Sequence, residues 1–437
     1  MLVFKRSLPL TRYIYTLLLY MLTPLVMLRL LWRGLRAPAY WRRWTERFGW
    51  IPQAREDCLW VHAVSVGEVQ AAVPLVKALR ARYPEWRIVA TTMTPTGAER
   101  VQAALHQDVT HYYLPYDLPG AVRRFVRRLR PRLLIIMETE LWPNLIHYCY
   151  TQHIPVVLAN GRLSERSAAR YRYVKKLASE MLAMLSAIAA QTQPDARRFI
   201  ELDAPSGIVH VTGNIKYDMK PPASLREEAE VLRRSWGVER GVWIAASTHE
   251  GEEQQVLDAY AAVRSELPHA LLVIVPRHPE RFAKVAALCE RSGYRIIRRS
   301  DQRVCDASTE IVIGDSMGEL NLFYAASDVA FVGGSLVPTG GHNLIEPAAQ
   351  GVPVITGPYT FNFAEIAQQL CEAGAAVQIH TTRQLSEIVV KFLKDANLRY
   401  QTGQKARTLV EQNRGALDHL LGAMAPYLPV KGITPGH

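Results

Sequence analysis

Four glycines, a histidine, an asparagine and a glutamate are gathered in one stretch of this chain. It runs from 331 to 358 and reads FVGGSLVPTGGHNLIEPAAQGVPVITGP. Gly333, Gly334, Gly340 and Gly341 let backbone come close to a ligand or to other backbone. Asn343 suits the cap of a following helix, and Glu346 then stands in that helix's first turn. A glycine loop that enters a helix offers N–H groups and a dipole to a phosphate. A carboxylate one turn further in can accept hydrogen bonds from two ribose hydroxyls. The same residues would also serve a tightly packed strand-to-helix turn without any ligand.

Acids, and a few cations, mark other strand ends. Glu68 closes VSVGE at 64–68, where Gly67 permits a tight turn from strand to helix. A carboxylate there can act as general base on a hydroxyl, or it can simply stabilise the helix dipole. Glu138 and Glu140, in METELWPN at 137–144, follow an apolar run and could face a site or cap a helix. As metal ligands they lack a DxD motif and any converging histidine. Lys216 follows the turn Gly213-Asn214 and could face a carboxylate or a departing phosphate, or lie in solvent. Pro276, Arg277, His278 and Pro279 form a turn that two prolines hold rigid, so Arg277 is presented in a fixed place. Ser316, Met317, Gly318 and Glu319 open a further helix and a second candidate anion site. His249-Glu250 is not HExxH and gives no zinc signature.

The elements that must position these groups alternate in type. Apolar runs at 58–64, 88–92, 133–137, 156–159 and 208–212 read as buried strands, with helical patterns between them. A second series follows at 242–246, 271–275, 311–313, 329–332 and 354–355. Strands alternating with helices imply right-handed βαβ units and a parallel α/β sheet. Lys220-Pro221-Pro222 marks the linker between the two series. The expected division is 1–34 as a membrane anchor, 35–220 as one domain and 221–437 as another. The last helices, after about Ser386, are expected to pack back toward the junction.

With 437 residues, 49% of them hydrophobic, the chain can build two packed cores. Its formal charge of +12 calls for an anionic partner. The five cysteines show no CxxC or histidine pairing, which argues against a disulfide framework and against zinc. Residues 13–28 carry no charge and are rich in Leu, Tyr and Met. That run is short of the ~20 residues of a spanning helix, although Leu30, Leu31 and Trp32 extend it past Arg29. No small-residue cleavage site follows, and Tyr and Trp cluster at the ends of the run, so a retained anchor, spanning or half-inserted, is expected rather than a signal peptide or a buried soluble helix. Arg33, Arg36, Arg42, Arg43 and Arg47 follow against Glu46, so by the positive-inside tendency the body is expected on the cytoplasmic side, with Lys5, Arg6 and Arg12 before the anchor counting the other way. Two basic segments stand apart: Arg123, Arg124, Arg127, Arg128, Arg130 and Arg132, then Arg162, Arg166, Arg170, Arg172, Lys175 and Lys176. No nucleic-acid signature accompanies them. Anionic headgroups and a phosphorylated acceptor, or a merely solvated face, are the readings left.

Taken in order, VSVGE, TTMTPTG (91–97), METELWPN, STHEGEE (247–253), VPRHPER (275–281), GDSMGEL (314–320) and the glycine stretch resemble one family along nearly the whole chain. It is that of the 3-deoxy-D-manno-octulosonic acid (Kdo) transferases, glycosyltransferases of GT-B architecture that work in lipopolysaccharide synthesis. The chain departs from the family pattern at Leu344-Ile345-Glu346-Pro347, where Pro after the Asn and a small residue after the Glu are expected. The resemblance implies two Rossmann-like domains facing across a cleft. It implies transfer of Kdo from CMP-Kdo to the tetraacylated lipid A precursor, with inversion, at the bacterial inner membrane. By matching motifs, Glu68 is then the base, and Glu138 and Lys216 stabilise the transition state. Pro276 and Arg277, Met317, Gly318 and Glu319, and Asn343, Leu344, Ile345 and Glu346 hold CMP. Helix N-termini can hold the phosphate charge of CMP, so no metal is expected at the chemical step, nor any cofactor, and without a nucleic-acid signature no nucleic acid is expected as partner. Another transferase or epimerase using a UDP-sugar is the alternative.

Overall fold

Each apolar run singled out above forms a strand in the computed structural model, which describes residues 10–36, 41–106, 108–218 and 224–429. In chain order the first seven strands are β1 (Cys58–His62), β2 (Arg87–Thr92), β3 (Thr110–Tyr113), β4 (Pro131–Met137), β5 (Val156–Gly161), β6 (Ala187–Ala190) and β7 (Val209–Val211). They make one parallel sheet in the order β3-β2-β1-β4-β5-β6-β7. Helices cover both faces, so β1 is buried at every residue and reads as a continuous apolar run. Alternate residues serve opposite cores. Leu59, Val61, Leu133 and Ile135 pack on one side, while Cys58, Trp60, Leu134 and Ile136 pack on the other.

The first unit comprises Met1–Asp218 and Arg414–His437. The chain thus returns to it at the end. Helix Ala416–Met424 contributes Leu420, Leu421 and Met424 to the first core. Asp218 receives that return, its carboxylate accepting from the Gly415 N–H at 2.6 Å and the Leu417 N–H at 2.5 Å. The expected linker, Lys220-Pro221-Pro222, lies outside the described residues.

The second unit, Met219–Asn413, carries the other seven strands. These are β8 (Val242–Thr248), β9 (Leu271–Pro276), β10 (Ile296–Arg298), β11 (Ile311–Ile313), β12 (Val329–Val332), β13 (Val354–Thr356) and β14 (Ala376–Gln378). They form a parallel sheet in the order β10-β11-β9-β8-β12-β13-β14. Both sheets reverse winding direction once, between β1 and β4 in the first and between β8 and β12 in the second. In open α/β sheets ligands bind outside the carboxyl ends of the strands at such a reversal. Glu68 and Glu138 follow β1 and β4. His249 and the glycine loop follow β8 and β12.

Helix Leu10–Arg36 precedes the first sheet and contains Pro24. Within it Leu10–Trp32 is long and apolar enough to cross a membrane. Leu17, Leu18, Met21, Leu22, Leu25 and Leu28 are all exposed. Its first turns are nonetheless tied to the first unit. The Tyr15 hydroxyl donates to buried Asp117 at 3.0 Å, and Arg12 and Thr16 each donate to Asn144 Oδ1 at 3.1 Å. Thr11 donates to Glu180 at 2.6 Å.

Candidate active site

In the first unit Ser65 caps helix Val66–Arg82 and Glu68 stands three residues later. The Ser65 hydroxyl accepts from the Glu68 N–H at 3.3 Å and donates to Glu68 Oε1 at 2.8 Å. The Val64 N–H donates to Glu68 Oε2 at 2.8 Å. This is a variant of the capping box in which the glutamate takes the N–H one residue before the N-cap, so the carboxylate is folded back on the turn that carries it. It is 8% exposed. Burial pushes its pKa up to about 7; the Val64 N–H opposes the rise, and the charges of Glu138 and Glu140 add to it. A carboxyl group poised near neutrality is matched to proton transfer at that pH.

Glu138 follows β4 in a left-handed conformation, with φ of 55°. For a residue with a Cβ such a backbone costs about 1–3 kcal/mol, and strain of this kind gathers at functional sites. Its side chain meets Lys216, with Nζ to Oε1 at 2.9 Å and both groups about four-fifths buried. The sequence offered a site-facing or a helix-capping role for Glu138; the structure gives it an ion pair with a lysine 78 residues away. Asn160 makes that pairing possible, and the sequence reading passed over it. Fully buried at the end of β5 with φ of 54°, it accepts the Ile215 N–H at 3.1 Å and so fixes the turn Ile215–Asp218. Its signal was the Asn-Gly pair at a strand end, since Asn tolerates a left-handed backbone.

Beyond Glu138 lies a cavity of about 480 Å³. Thr139 and Glu140 line its polar end. Leu141, Trp142, Leu177 and Tyr15 of the N-terminal helix give it apolar walls. Burial, and then the Glu138 charge, raise the pKa of Glu140. The cavity therefore joins an acidic end to an apolar one beside the helix that is apolar enough to cross a membrane.

In the second unit β8 leads through His249, Glu250 and Gly251 into helix Glu252–Glu266. Glu252 is fully buried. Its Oε2 accepts from the Gly334 N–H at 2.6 Å and the His249 N–H at 2.9 Å. Oε1 accepts from Ser335 N–H at 2.9 Å and Leu336 N–H at 2.8 Å. The first half of the glycine loop thus spends its donors on an internal carboxylate, not on a phosphate. A Cβ at Gly333 would lie 2.8 Å from Ser247 O and 2.9 Å from Thr248 Cα, so that close approach is to the β8 backbone. The tight-turn reading holds for this half.

The second half has different partners. Asn343 does not cap a helix in the ordinary way. Helix Ile345–Ala349 has Leu344 at its N-cap, and Asn343 Oδ1 accepts the Ile345 N–H at 3.1 Å. Asn343 Nδ2 donates to Glu346 Oε1 at 3.2 Å. Pro276 ends β9, and the Arg277 N–H donates to Thr248 O at 3.0 Å, which fastens that turn to β8. Met317 is 71% exposed, and Gly318 has φ of 89°. Glu319 is the N-cap of helix Leu320–Ala325, and its carboxylate is forked by Arg299, the shortest contact 2.7 Å. That ion pair holds its pKa down. Between the loops the rings of His249 and His342 lie nearly parallel, with Nε2 to Nε2 at 2.8 Å.

The basic segments divide. Arg124 donates to Phe48 O and Arg128 to Ile51 O, and both stack on Trp50. Arg130 pairs with Asp57 at 2.9 Å. These residues bind 48–57 to the helix Pro119–Leu129 and are structural. Arg123 and Arg127 face solvent, as do Arg166, Arg170, Lys175 and Lys176. Arg43 and Arg47 also serve the fold: Arg43 pairs with Glu46 at 2.7 Å, and buried Arg47 donates to Met93 O.

Two family models match the chain. One, described as 3-deoxy-D-manno-octulosonic-acid transferase (kdotransferase), matches 42–219, and one for glycosyl transferases group 1 matches 244–409. A 3-deoxy-D-manno-octulosonic acid transferase of Haemophilus influenzae is 44% identical over 95% of this chain and 99% of its own. One of Bordetella pertussis is 36% identical over the same shares. Among solved structures, a UDP-GlcNAc 2-epimerase from Neisseria meningitidis superimposes with a TM-score of 0.55 over 85% of this chain and 100% of its own. At 13% identity that likeness extends to the fold alone. Two parallel α/β units, the motifs on their strand ends and two near-full-length relatives lead to one assignment: the chain belongs to the 3-deoxy-D-manno-octulosonic acid transferase family.

Proposed function

We propose that this chain transfers Kdo from CMP-Kdo to the tetraacylated disaccharide precursor of lipid A, with inversion at the anomeric carbon. The observation that carries the chemistry is a buried carboxyl group poised near neutrality, Glu68, in the electrostatic reach of the Glu138–Lys216 ion pair. An acceptor hydroxyl attacks the anomeric carbon, its proton passes to Glu68, and the bond from that carbon to the CMP phosphate oxygen breaks. The electron pair leaves with CMP. Lys216, held by Glu138, supplies positive charge where negative charge develops. The acidic-to-apolar cavity that begins at Thr139 suits an amphiphilic acceptor.

On the donor side Pro276 and Arg277, Met317, Gly318 and Glu319, and Asn343, Leu344, Ile345 and Glu346 hold CMP in this reading. Glu346→Ala is expected to weaken CMP binding by about 1.5–3 kcal/mol, the scale of hydrogen bonds to a charged group. Calorimetry with CMP reads this directly, and unchanged affinity would remove Glu346 from the site. A UDP-sugar enzyme is the competing reading. CMP should displace the bound donor and UDP should not; the reverse order would favour that competitor.

The helix Leu10–Arg36 acts in this reading as a single inner-membrane anchor, with both α/β units on the cytoplasmic side and the exposed arginines and lysines toward anionic lipid. Deleting residues 1–32 should leave a folded body that is more soluble. Transfer to acceptor in vesicles should fall far more than transfer to acceptor in detergent. An unfolded truncation would mean that the ties from Tyr15 and Arg12 to the body are core contacts.

A further inference from the structure

Three neighbouring strands of the second sheet, β9, β8 and β12, deliver three histidines to one place. His278 follows β9, His249 follows β8, and His342 stands in the loop after β12. The His249 and His342 rings lie 5.0 Å apart at 7° to one another, and His278 meets His249 edge-on at 5.4 Å. The loop is cut to fit this arrangement. A Cβ at Gly334, whose φ is 67°, would stand 3.0 Å from the His342 ring.

The contact between Nε2 of His249 and Nε2 of His342, at 2.8 Å, has room for one proton. One imidazole donates and the other accepts, so the neutral pair satisfies itself. An added proton would put a hydrogen on both nitrogens and force them apart. Two N–H donors would then be released together.

The surroundings oppose that proton until an anion arrives. Burial, and then Arg277 and the other two histidines, push His342 down to about 3. Burial, His278, Arg277 and Arg281 lower His249. The acids on this face have partners other than the His249 and His342 rings. Glu252 holds four backbone N–H groups. Glu253 binds Arg281 at 2.9 Å, Glu250 binds Lys284 and Arg281, and Glu280 lies 3.9 Å from His278. Among the described residues no carboxylate pairs with the imidazole of His249 or His342. Arg277 acts on both rings, and the contact between them is one whose protonation an incoming anion would favour.

We propose that His249 and His342 form a proton-linked anion latch: the donor's phosphate binds with uptake of one proton, which parts the two imidazoles and turns both Nε2–H groups onto phosphate oxygens. This rests on the reading of the second unit as the CMP-donor site, and goes beyond it by assigning these two histidines and a proton to donor binding. The sign follows from linkage. The free pair titrates below the ordinary histidine range and the bound pair above it, so between those two values binding weakens as pH rises. With one proton taken up, the dissociation constant rises about tenfold per pH unit in that window.

The probe is cytidine 5′-methyl phosphate, a diester with no proton of its own to exchange near neutrality. Its binding to the full-length chain at pH 6.5 is measured by calorimetry in buffers of different ionisation enthalpy. Uptake of close to one proton is expected. Cytidine, which lacks the phosphate, should bind more weakly and take up none. His249→Gln and His342→Gln should each abolish the uptake and flatten the pH dependence of the dissociation constant. Binding of the diester by the unmutated chain without proton uptake would overturn the latch and leave the donor reading intact. So would uptake that persists in both variants. No binding of the diester at any pH would overturn the donor reading and the latch together.

Discussion

Glu68→Gln is expected to lower turnover by about 10²–10⁴-fold, the usual contribution of a general base, while CMP binding and the melting temperature should stay close to those of the unmutated chain. The reason lies in the capping box. Ser65 takes the Glu68 N–H at the start of helix Val66–Arg82, Glu68 takes the Val64 N–H and the Ser65 hydroxyl in return, and Gln serves in a capping box as well as Glu. The substitution therefore keeps the helix start and removes only the basic oxygen. The unmutated enzyme should show an acid limb as well. A base must be ionised to accept a proton, and Glu68 is protonated below about 7. The rate at saturating donor should rise with pH up to about that value, and the limb should vanish in Glu68→Gln. A variant that melts far lower would make Glu68 a structural cap. Near-normal turnover would transfer the role to another carboxylate, with Glu138 the first to test.

Glu252→Ala should damage the second unit most. The side chain is fully buried, and its two oxygens accept four backbone N–H groups from two loops. Truncation leaves those donors without partners in a dry site. Each buried donor left unsatisfied costs about 1–3 kcal/mol. Gln retains one accepting oxygen but brings an NH₂ group against N–H donors, so it should rescue only part of the loss. Donor affinity should fall with stability, because Glu252 fixes Gly334, Ser335 and Leu336 ahead of His342 and Asn343. A chain of two units is not expected to unfold in one step. The measurement is therefore denaturant unfolding that follows the transition of the second unit. An unshifted transition would mean that water replaces the carboxylate at no cost.

Much of this fold was legible in the sequence, and the physical reason is burial. Strands covered on both faces, such as β1, β4, β8 and β9, read as unbroken apolar runs. The strands that escaped notice are of two kinds. Thr110–Tyr113, Ile296–Arg298 and Ala376–Gln378 are short edge strands that are partly exposed. Ala187–Ala190 is central, but three of its four residues are alanine and give little apolar signal. The candidate catalytic trio was readable one residue at a time. Its pairing was not, because Lys216 reaches Glu138 only through the crossover of the sheet and the turn that Asn160 fixes. Glu252 was hidden in the same way. A glutamate in a first helical turn looks solvated, and only the topology brings the Gly334 loop over it. The arginines of 124–130 were misleading in the opposite sense. A cluster that reads as a membrane or phosphate surface proves to bind backbone carbonyls of 48–55 for the most part.

One experiment bears on the whole account. Purified full-length chain in detergent is mixed with CMP-Kdo and the tetraacylated precursor, and the lipid is examined by mass spectrometry. The expected spectrum shows precursor that has gained Kdo, with CMP released in equal amount, and shows almost no gain with Glu68→Gln. Precursor that stays unmodified with CMP-Kdo but is glycosylated from a UDP-sugar would contradict the assignment of the donor, and full Kdo transfer by Glu68→Gln would contradict the assignment of the base.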